Sequence, residues 1–86
     1  MDLDERFADA QRRAKALPVA PDTGTLLELY ALYKQGSTGD VAGPRPGMLD
    51  IKGRAKWDAW ARRKGMTREA AMDAYVAVVD RLTSRG

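Results

Sequence analysis

Apolar residues recur at intervals of three and four near both ends of this chain. The two series are Leu3, Phe7, Ala10, Ala14 and Leu17, and Met72, Tyr75, Val79 and Leu82. Because this spacing collects side chains on one face of an α-helix, it predicts a helix over residues 3–17 and another after Thr67. Asp2 and Glu5 have the spacing of a capping box at the first helix start. Pro18 prevents that helix from continuing.

Two further helices are predicted between these segments. Residues 26–35 carry apolar side chains around most of the helix circumference, so we expect this second helix to be the most buried of the four. A third helix is expected from residue 51 or 52 to Lys64, with Gly65 following its last turn. Trp57 and Trp60 on this third helix are interpreted most simply as core anchors.

A long loop is predicted between the second and third helices, because residues 36–50 are rich in glycine and proline. We expect Met48 and Leu49, near the end of this loop, to pack back onto the helices. No segment has the alternating pattern typical of a strand. The sequence therefore predicts an all-α fold, with a single domain spanning residues 1–86.

The composition excludes several classes of chemistry. The 86 residues include no cysteine and no histidine, which rules out disulfides, thiol catalysis, Cys-containing zinc sites and imidazole triads. Glycine-rich phosphate loops and nucleophile-elbow motifs are also missing, so we expect no enzymatic activity. No stretch approaches the roughly 18 apolar residues of a membrane span. The acidic start lacks the features of a signal peptide, which favours a cytoplasmic location.

Positive charge is concentrated in the middle of the chain. Residues 34–64 hold eight Lys and Arg against three Asp, a net charge of +5, whereas the remainder holds seven basic and nine acidic residues, a net charge of −2. An excess of this kind on one part of a surface favours an anionic partner.

Two groups of residues suggest what kind of anion is bound. Tyr30, Tyr33 and Lys34 share one face of the second helix, and together they offer stacking surfaces, hydroxyl donors and a cation. Lys52 and Lys56 are four residues apart near the start of the third helix, a position that also favours anions. Together the two groups suit a phosphorylated ligand that contains an aromatic ring.

Plainer interpretations of the same residues stay open. Tyrosines at helical spacing are more often core residues, and a lysine pair on a helix is more often a solvated face. An alternative function is that of a small basic helical module that binds nucleic acid or a protein partner.

Several ordered blocks together resemble the acyl-CoA-binding protein family. The blocks are Tyr30–Gln35, Gly39-Asp40, Arg45–Asp50, Lys52–Trp60 and Gly65–Tyr75. The spacings between the blocks need no insertion, and the resemblance extends over essentially the whole chain. It implies a four-helix, up-down-down-up bundle that binds medium- to long-chain fatty acyl-CoA thioesters without transforming them. Such a protein acts as an intracellular acyl-CoA carrier and pool former.

The resemblance also implies a set of site residues by position. The implied contacts of the CoA part are Lys15, Tyr30, Tyr33, Lys34, Lys52, Lys56 and Tyr75. The implied acyl groove, between the first helix and its neighbours, is lined by Phe7, Ala10, Ala14, Leu26 and Leu27. In this resemblance Tyr33 stacks on the adenine, and Lys34 and Lys56 hold the phosphates, above all the 3′-phosphate of the ribose.

The same resemblance sets expectations about partners and about local departures from the family. Fatty acyl-CoA is the expected ligand, with no metal and no other cofactor. We expect a monomer that binds no nucleic acid and forms no stable association with a membrane; transient membrane contact stays open, and acyl-CoA-using enzymes are candidate partners. Gly36 stands where the family commonly has Ala and Thr38 where it commonly has Val, which predicts a looser end of the second helix. Gln11 and Ala20 fall near ligand-facing positions and differ from many relatives.

Overall fold

The computed structural model describes residues 1–84, which form four α-helices. The helices are α1 (Leu3–Lys15), α2 (Thr23–Ser37), α3 (Ile51–Ala61) and α4 (Arg68–Thr83). No strand occurs in the described residues, so the predicted all-α class is confirmed. The last two residues of the predicted 1–86 domain lie outside the described residues.

Each helix begins after a side chain that caps its first turn. The caps are Asp2, Asp22, Asp50 and Thr67, and each accepts a hydrogen bond from the backbone N–H three residues later. The predicted capping box at Asp2 is present. Helices α1 and α3 end before the predicted positions, at Lys15 and Ala61. The cationic residues after Ala61 form a turn that finishes at Gly65, whose φ of 91° suits glycine.

Ion pairs between α1 and α4 define the relative direction of these two helices. Arg6 lies 2.6 Å from Asp73, and Arg13 lies 2.9 Å from Asp80. Because both partners advance by seven residues, α1 and α4 run parallel. These exposed pairs add little stability, but they hold the two helices in one register.

Helix α2 runs antiparallel to α4 and parallel to α3. The end of α2 lies against the start of α4. The ammonium of Lys56 lies over the ring of Tyr30, and the ammonium of Lys34 lies over the ring of Trp60. The second contact is four residues further along both helices than the first, so α2 and α3 run in the same direction. The order of directions is therefore up-down-down-up, as the resemblance implied.

The hydrophobic core lies where α1 and α2 pack against α4. Its buried members are Phe7, Ala10, Leu29, Leu32, Ala71, Met72, Tyr75, Val76, Val78 and Val79. Helix α4 contributes six buried residues and α2 contributes five, so the prediction that α2 is the most buried helix was wrong. Trp60 is buried as predicted, whereas Trp57 is only half-buried.

Polar contacts, rather than apolar side chains, hold the first half of the loop between α2 and α3. Asp40 accepts hydrogen bonds of 2.8 Å from the Gln35 side chain and from the Gly65 backbone. The Trp60 indole donates to the carbonyl of Gly39 at 2.8 Å. These bonds join the loop to α2, to α3 and to the connection before α4. The same two bonds to Asp40 hold the pKa of its carboxyl below the usual range. The bond from the Gly65 N–H makes the larger contribution, and the bond from the Gln35 amide makes the smaller one.

The second half of the loop corrects another prediction. Met48 is 82% exposed and Leu49 is 100% exposed, so neither packs back onto the helices. The contact that fixes this part is instead a bidentate pair, in which the Arg45 guanidinium donates to both carboxylate oxygens of Asp58 at 2.8 and 2.7 Å. Because the backbone is already held by this pair, Met48 and Leu49 are not needed as anchors.

The end of α2 is held firmly, contrary to the expectation of a looser turn. Helix α2 continues through Ser37, and the Arg68 guanidinium donates to the carbonyls of Gly36 and Ser37 at 3.3 and 3.1 Å. A Cβ at position 36 would lie 2.9 Å from Cγ of Met72 and 3.2 Å from Cζ of Phe7. Glycine at this position therefore permits a close approach of α2 to α4.

None of the helices in residues 1–84 has the length and apolar character needed to cross a membrane.

Candidate ligand-binding site

A surface cavity separates α1 from α2. Within the described chain, α1 packs on α4 and α4 packs on α2, but α1 and α2 have no Cα atoms within 8 Å of each other. The space between them measures about 360 Å³. We call it the tyrosine cavity, and its lining residues are Gln11, Lys15, Leu29, Tyr30, Tyr33 and Tyr75.

Phe7 holds two of these tyrosines in place. Its ring meets Tyr75 edge-on at 5.2 Å between centroids and lies tilted against Tyr33 at 6.2 Å. Tyr75 is buried, and burial raises the pKa of its phenol, with a smaller contribution from Tyr33. Tyr33 is exposed and offers a ring to a planar ligand.

A second surface cavity lies between α2 and α3. It measures about 350 Å³, and most of its lining is apolar. We call it the leucine cavity, and its lining residues are Thr23, Leu26, Leu27, Tyr30, Lys52, Ala55 and Lys56.

Tyr30 belongs to both cavities and therefore forms the wall between them. The Lys56 ammonium lies 5.4 Å from the centre of the Tyr30 ring, a cation–π distance. A single ligand that passes over Tyr30 can thus contact aromatic side chains in one cavity and apolar side chains in the other. It meets the Lys56 cation at Tyr30, and we call this position the crossing.

The cations at these cavities are available to an anion. Lys15 lines the tyrosine cavity, and Lys52 and Lys56 line the leucine cavity. All three are exposed, and none forms an ion pair with a carboxylate in residues 1–84. An anionic ligand therefore need not displace an existing ion pair at these lysines.

Lys34 is placed differently from the other lysines implied by the resemblance. Its ammonium lies 4.8 Å from the centre of the Trp60 ring, and Lys34 lines neither the tyrosine cavity nor the leucine cavity. The structure therefore brings Lys15, Lys52 and Lys56 to the cavities and leaves Lys34 outside them.

The five residues of the implied acyl groove do not line one groove. Leu26 and Leu27 line the leucine cavity between α2 and α3. Phe7 and Ala10 are buried in the core, where Ala10 has no exposed surface, and Ala14 is half-buried against that core. The two leucines of this set thus border a cavity beside α3, whereas the other three residues lie in or against the core.

Three lining residues escaped the sequence interpretation of the site. Leu29 lines the tyrosine cavity, and Thr23 and Ala55 line the leucine cavity. Ala55 lies three residues after Lys52 on α3, and this spacing is a signal that could have placed it on the same face. For Thr23 and Leu29 the deciding fact is how the helices pack, which local spacing does not contain.

Fold and site together define a class of protein. The chain is a four-helix bundle whose surface carries an aromatic cavity and an apolar cavity, joined at one tyrosine and bordered by lysines that form no ion pair in residues 1–84. Such a surface suits an anion with a planar ring and an apolar tail, and this is a binding protein for such ligands.

Comparison with known proteins gives the family. Residues 4–79 match the model of the family described as acyl CoA binding protein. An acyl-CoA-binding protein homolog of Manduca sexta is 49% identical over 83 residues, covering 95% of this chain and 92% of the relative. The acyl-CoA-binding protein of Saccharomyces cerevisiae is 41% identical over 83 residues, covering 96% and 95%. The chain belongs to the acyl-CoA-binding protein family.

Solved structures agree with this assignment. The crystal structure of acyl-CoA-binding protein 2 from Oryza sativa superposes with a TM-score of 0.93 at 39% identity, covering 98% of this chain and 93% of that one. The solution structure of the yeast protein gives a TM-score of 0.74 at 43% identity, covering 92% of each chain. The resemblance stated from the sequence is confirmed, and so is the bundle that it implied.

Proposed function

We propose that this protein binds medium- to long-chain fatty acyl-CoA thioesters, without transforming them, as an intracellular carrier and pool former. The observation that carries the proposal is the pair of cavities joined at Tyr30. An acyl-CoA has an adenine ring, phosphates and an apolar chain, and the two cavities offer a counterpart to each part. Membership of the acyl-CoA-binding protein family supports the same ligand.

The adenine and the 3′-phosphate of the ribose are assigned to the tyrosine cavity. The exposed Tyr33 ring is the stacking surface for the adenine, and Lys15 pairs with the phosphate. Tyr75 forms part of the lining behind the ligand, and Phe7 acts through Tyr33 and Tyr75 by holding their rings. Ala10 and Ala14 support this arrangement from the core side of α1.

The diphosphate is assigned to the crossing between the cavities, where Tyr30 and Lys56 meet and Lys52 lies near. The pantetheine arm leads from the diphosphate to the thioester, and the acyl chain beyond it follows Leu26 and Leu27. Each methylene removed from water contributes about 0.8 kcal/mol, so eight covered methylenes would supply about 6 kcal/mol before the costs of binding. The acyl chain therefore provides a large favourable contribution to binding, and the phosphates provide the orientation.

Lys34 takes part only after it moves. We propose that the ligand phosphates draw its ammonium away from the Trp60 ring, because a charge-assisted hydrogen bond to phosphate is stronger than this half-buried cation–π contact, which contributes about 0.5–2 kcal/mol. Loss of that contact would change the environment of the Trp60 indole on binding.

The experiment is a calorimetric titration with palmitoyl-CoA, free CoA, palmitate and a DNA duplex. We expect palmitoyl-CoA to bind at least about 100-fold more tightly than free CoA or palmitate, since each fragment lacks one half of the interactions. The duplex arm tests the alternative of a basic nucleic-acid module, which the family does not favour. Equal and weak responses to all four ligands would contradict the carrier function.

We also propose that the carrier is a cytoplasmic monomer that delivers acyl-CoA to enzymes that use it. The single compact bundle and the cavities formed within one chain support a monomer. Sedimentation equilibrium of the ligand-free protein should give a single mass of about 9.5 kDa. The same measurement with palmitoyl-CoA should also give the mass of one chain. A concentration-dependent dimer would contradict this part of the proposal.

A further inference from the structure

Gln11 lines the tyrosine cavity, and the proposed function has given this polar side chain no role. The side chain is half-buried, and its amide forms no hydrogen bond with any other group in residues 1–84. A glutamine amide has two N–H donors and one carbonyl acceptor. All of them are therefore available to a ligand in the cavity.

Gln11 and Tyr33 border the tyrosine cavity from different helices. Gln11 belongs to α1 and Tyr33 belongs to α2. A planar base that stacks on the Tyr33 ring covers the face of the phenol, so the polar atoms on the edge of the base point toward the neighbouring walls of the cavity. Gln11 is part of such a wall, and its amide can meet the edge of the base.

Gln11 also has a defined position relative to Lys15. The two residues are four apart on α1, so they share one face of the helix and lie about 6 Å apart along its axis. Lys15 is assigned to the 3′-phosphate of the ribose, and the base is attached to the same ribose. The order along α1, an amide followed one turn later by an ammonium, therefore matches the order of base and phosphate in the ligand.

The polar edge of adenine is complementary to a glutamine amide. The N6 amino group of adenine donates a hydrogen bond, and N7 beside it accepts one, so a single amide can bind both atoms. Guanine has a carbonyl oxygen in place of the amino group, and this edge then presents two acceptors. The amide oxygen of glutamine would have no donor to meet there.

We propose that Gln11 is a specificity-determining residue of this site, and that its amide binds N6 and N7 of the adenine of acyl-CoA. The Tyr33 ring and the Lys15 ammonium suit any planar base that carries a phosphate. Gln11 adds a contact that distinguishes adenine from a base with a 6-oxo group. This inference rests on the proposed acyl-CoA function.

Calorimetric titration with two matched ligands tests the role of Gln11. One ligand is palmitoyl-CoA, and the other is a palmitoyl-CoA analogue in which unsubstituted purine replaces adenine, so that only the N6 amino group is missing. The unmodified protein should bind the purine analogue about three- to tenfold more weakly, the loss expected for one hydrogen bond. A residue that only supports the fold would not create a difference between these two ligands.

Gln11→Met is the informative variant, because methionine keeps an unbranched side chain and lacks the amide. Its affinities for the two ligands should lie within about twofold of each other, since no amide is left to bind the amino group. The matched control is Arg12→Ala, which changes the next residue of α1, an exposed one outside the tyrosine cavity. This control should keep the full difference between the two ligands.

Three results would overturn the role of Gln11. Equal binding of both ligands by the unmodified protein would show that nothing contacts N6. A full preference for adenine in Gln11→Met would assign that contact to another group, and a preference lost equally in Arg12→Ala would show that the effect is not local to Gln11. Weak binding of palmitoyl-CoA itself by the unmodified protein would instead reject the proposed function, and this inference with it.

Discussion

The two sides of α2 have opposite kinds of surroundings. On the side that faces α4, Leu32 is 1% exposed and Gly36 lies against Met72. On the sides that face α1 and α3, Tyr33 and Leu26 border cavities and keep part of their surface exposed. One helix thus serves both the core and the ligand site.

Residues on one side of α2 therefore contribute mainly to stability, and residues on its other sides contribute mainly to ligand binding. Side chains toward α4 are enclosed at the density of a protein interior, so their removal leaves a void that the structure cannot fill. Exposed side chains at the cavities, such as Tyr33 and Leu26, leave no enclosed void when they are removed, so their removal should affect the ligand more than the fold. Four substitutions or titrations can break or sharpen this contrast.

The largest effect is expected on the core side, for Leu32→Ala. Because the Leu32 side chain is 1% exposed, its truncation should lower the free energy of unfolding by about 2–5 kcal/mol. Urea denaturation measures this change. Affinity for palmitoyl-CoA, measured well below the unfolding midpoint, should stay within about threefold of the unmodified value. A variant that remains fully stable would show that the α4 side of α2 is not closely packed.

Lys56→Ala makes the corresponding change on the cavity side. The ammonium lies over Tyr30 at the crossing of the two cavities, so its loss should weaken palmitoyl-CoA binding about tenfold or more. Stability should change by less than about 1 kcal/mol, the scale of an exposed cation–π contact. Isothermal titration and urea denaturation give the two quantities.

The control for Lys56→Ala is Lys64→Ala, which removes the same charge from an exposed residue outside both cavities. Affinity of this control should barely change. If the two variants lose affinity equally, the effect is one of net charge, and Lys56 has no local role at the crossing.

Sequence patterns were sufficient to predict the helices that have a single, narrow apolar face. The spacing from Leu3 to Ala14 predicted α1, and the series from Met72 predicted α4, because a single apolar face leaves only one way to bury it. Asp2 was identified as a cap because capping depends only on neighbours three residues away.

Patterns were insufficient where a helix is apolar all round. Nothing in the spacing of α2 says that Leu32 packs into the core while Leu26 and Leu27 line a cavity beside α3, so the sequence alone could not place these leucines. The exposure of Met48 and Leu49 was likewise missed, and the Arg45–Asp58 pair that holds their loop joins residues 13 positions apart. Contacts between residues far apart in sequence decided both cases.

Gly36→Ala tests how close the approach of α2 to α4 is. The new methyl group would lie 2.9 Å from Cγ of Met72 and 3.2 Å from Cζ of Phe7, and such overpacking costs about 1–3 kcal/mol. Higher helix propensity returns about 1 kcal/mol, which leaves a net loss of about 1 kcal/mol in urea denaturation.

The matched control is Gly24→Ala in the first turn of α2, where the new methyl group meets only a side-chain oxygen of Asp22 at 3.5 Å. This variant should gain stability by about 0.5–1 kcal/mol from propensity alone. If Gly36→Ala gains as much as Gly24→Ala, then Met72 moves aside easily and the approach at Gly36 is not tight.

The smallest effect on stability is expected from ionisation of the Tyr75 phenol. Tyr75 lines the tyrosine cavity and is also buried in the core. Burial raises the pKa of its phenol above the ordinary value of 10.0. The folded state therefore holds this proton more tightly than the unfolded state does, and Tyr75 makes stability fall as the pH rises above 10.0, until the folded phenol also ionises. Ultraviolet absorbance of the phenolate measures the titration, and Tyr75→Phe identifies the part of the signal that comes from Tyr75.

Palmitoyl-CoA should raise the pKa of the Tyr75 phenol further, because an anion that covers the tyrosine cavity both removes water and disfavours a second negative charge. Palmitate lacks the CoA head and serves as the control, so it should leave this titration unchanged. A Tyr75 titration that is the same with and without palmitoyl-CoA would show that the CoA head does not enter the tyrosine cavity. In that case Tyr75 belongs with Leu32 to the core side of the molecule alone.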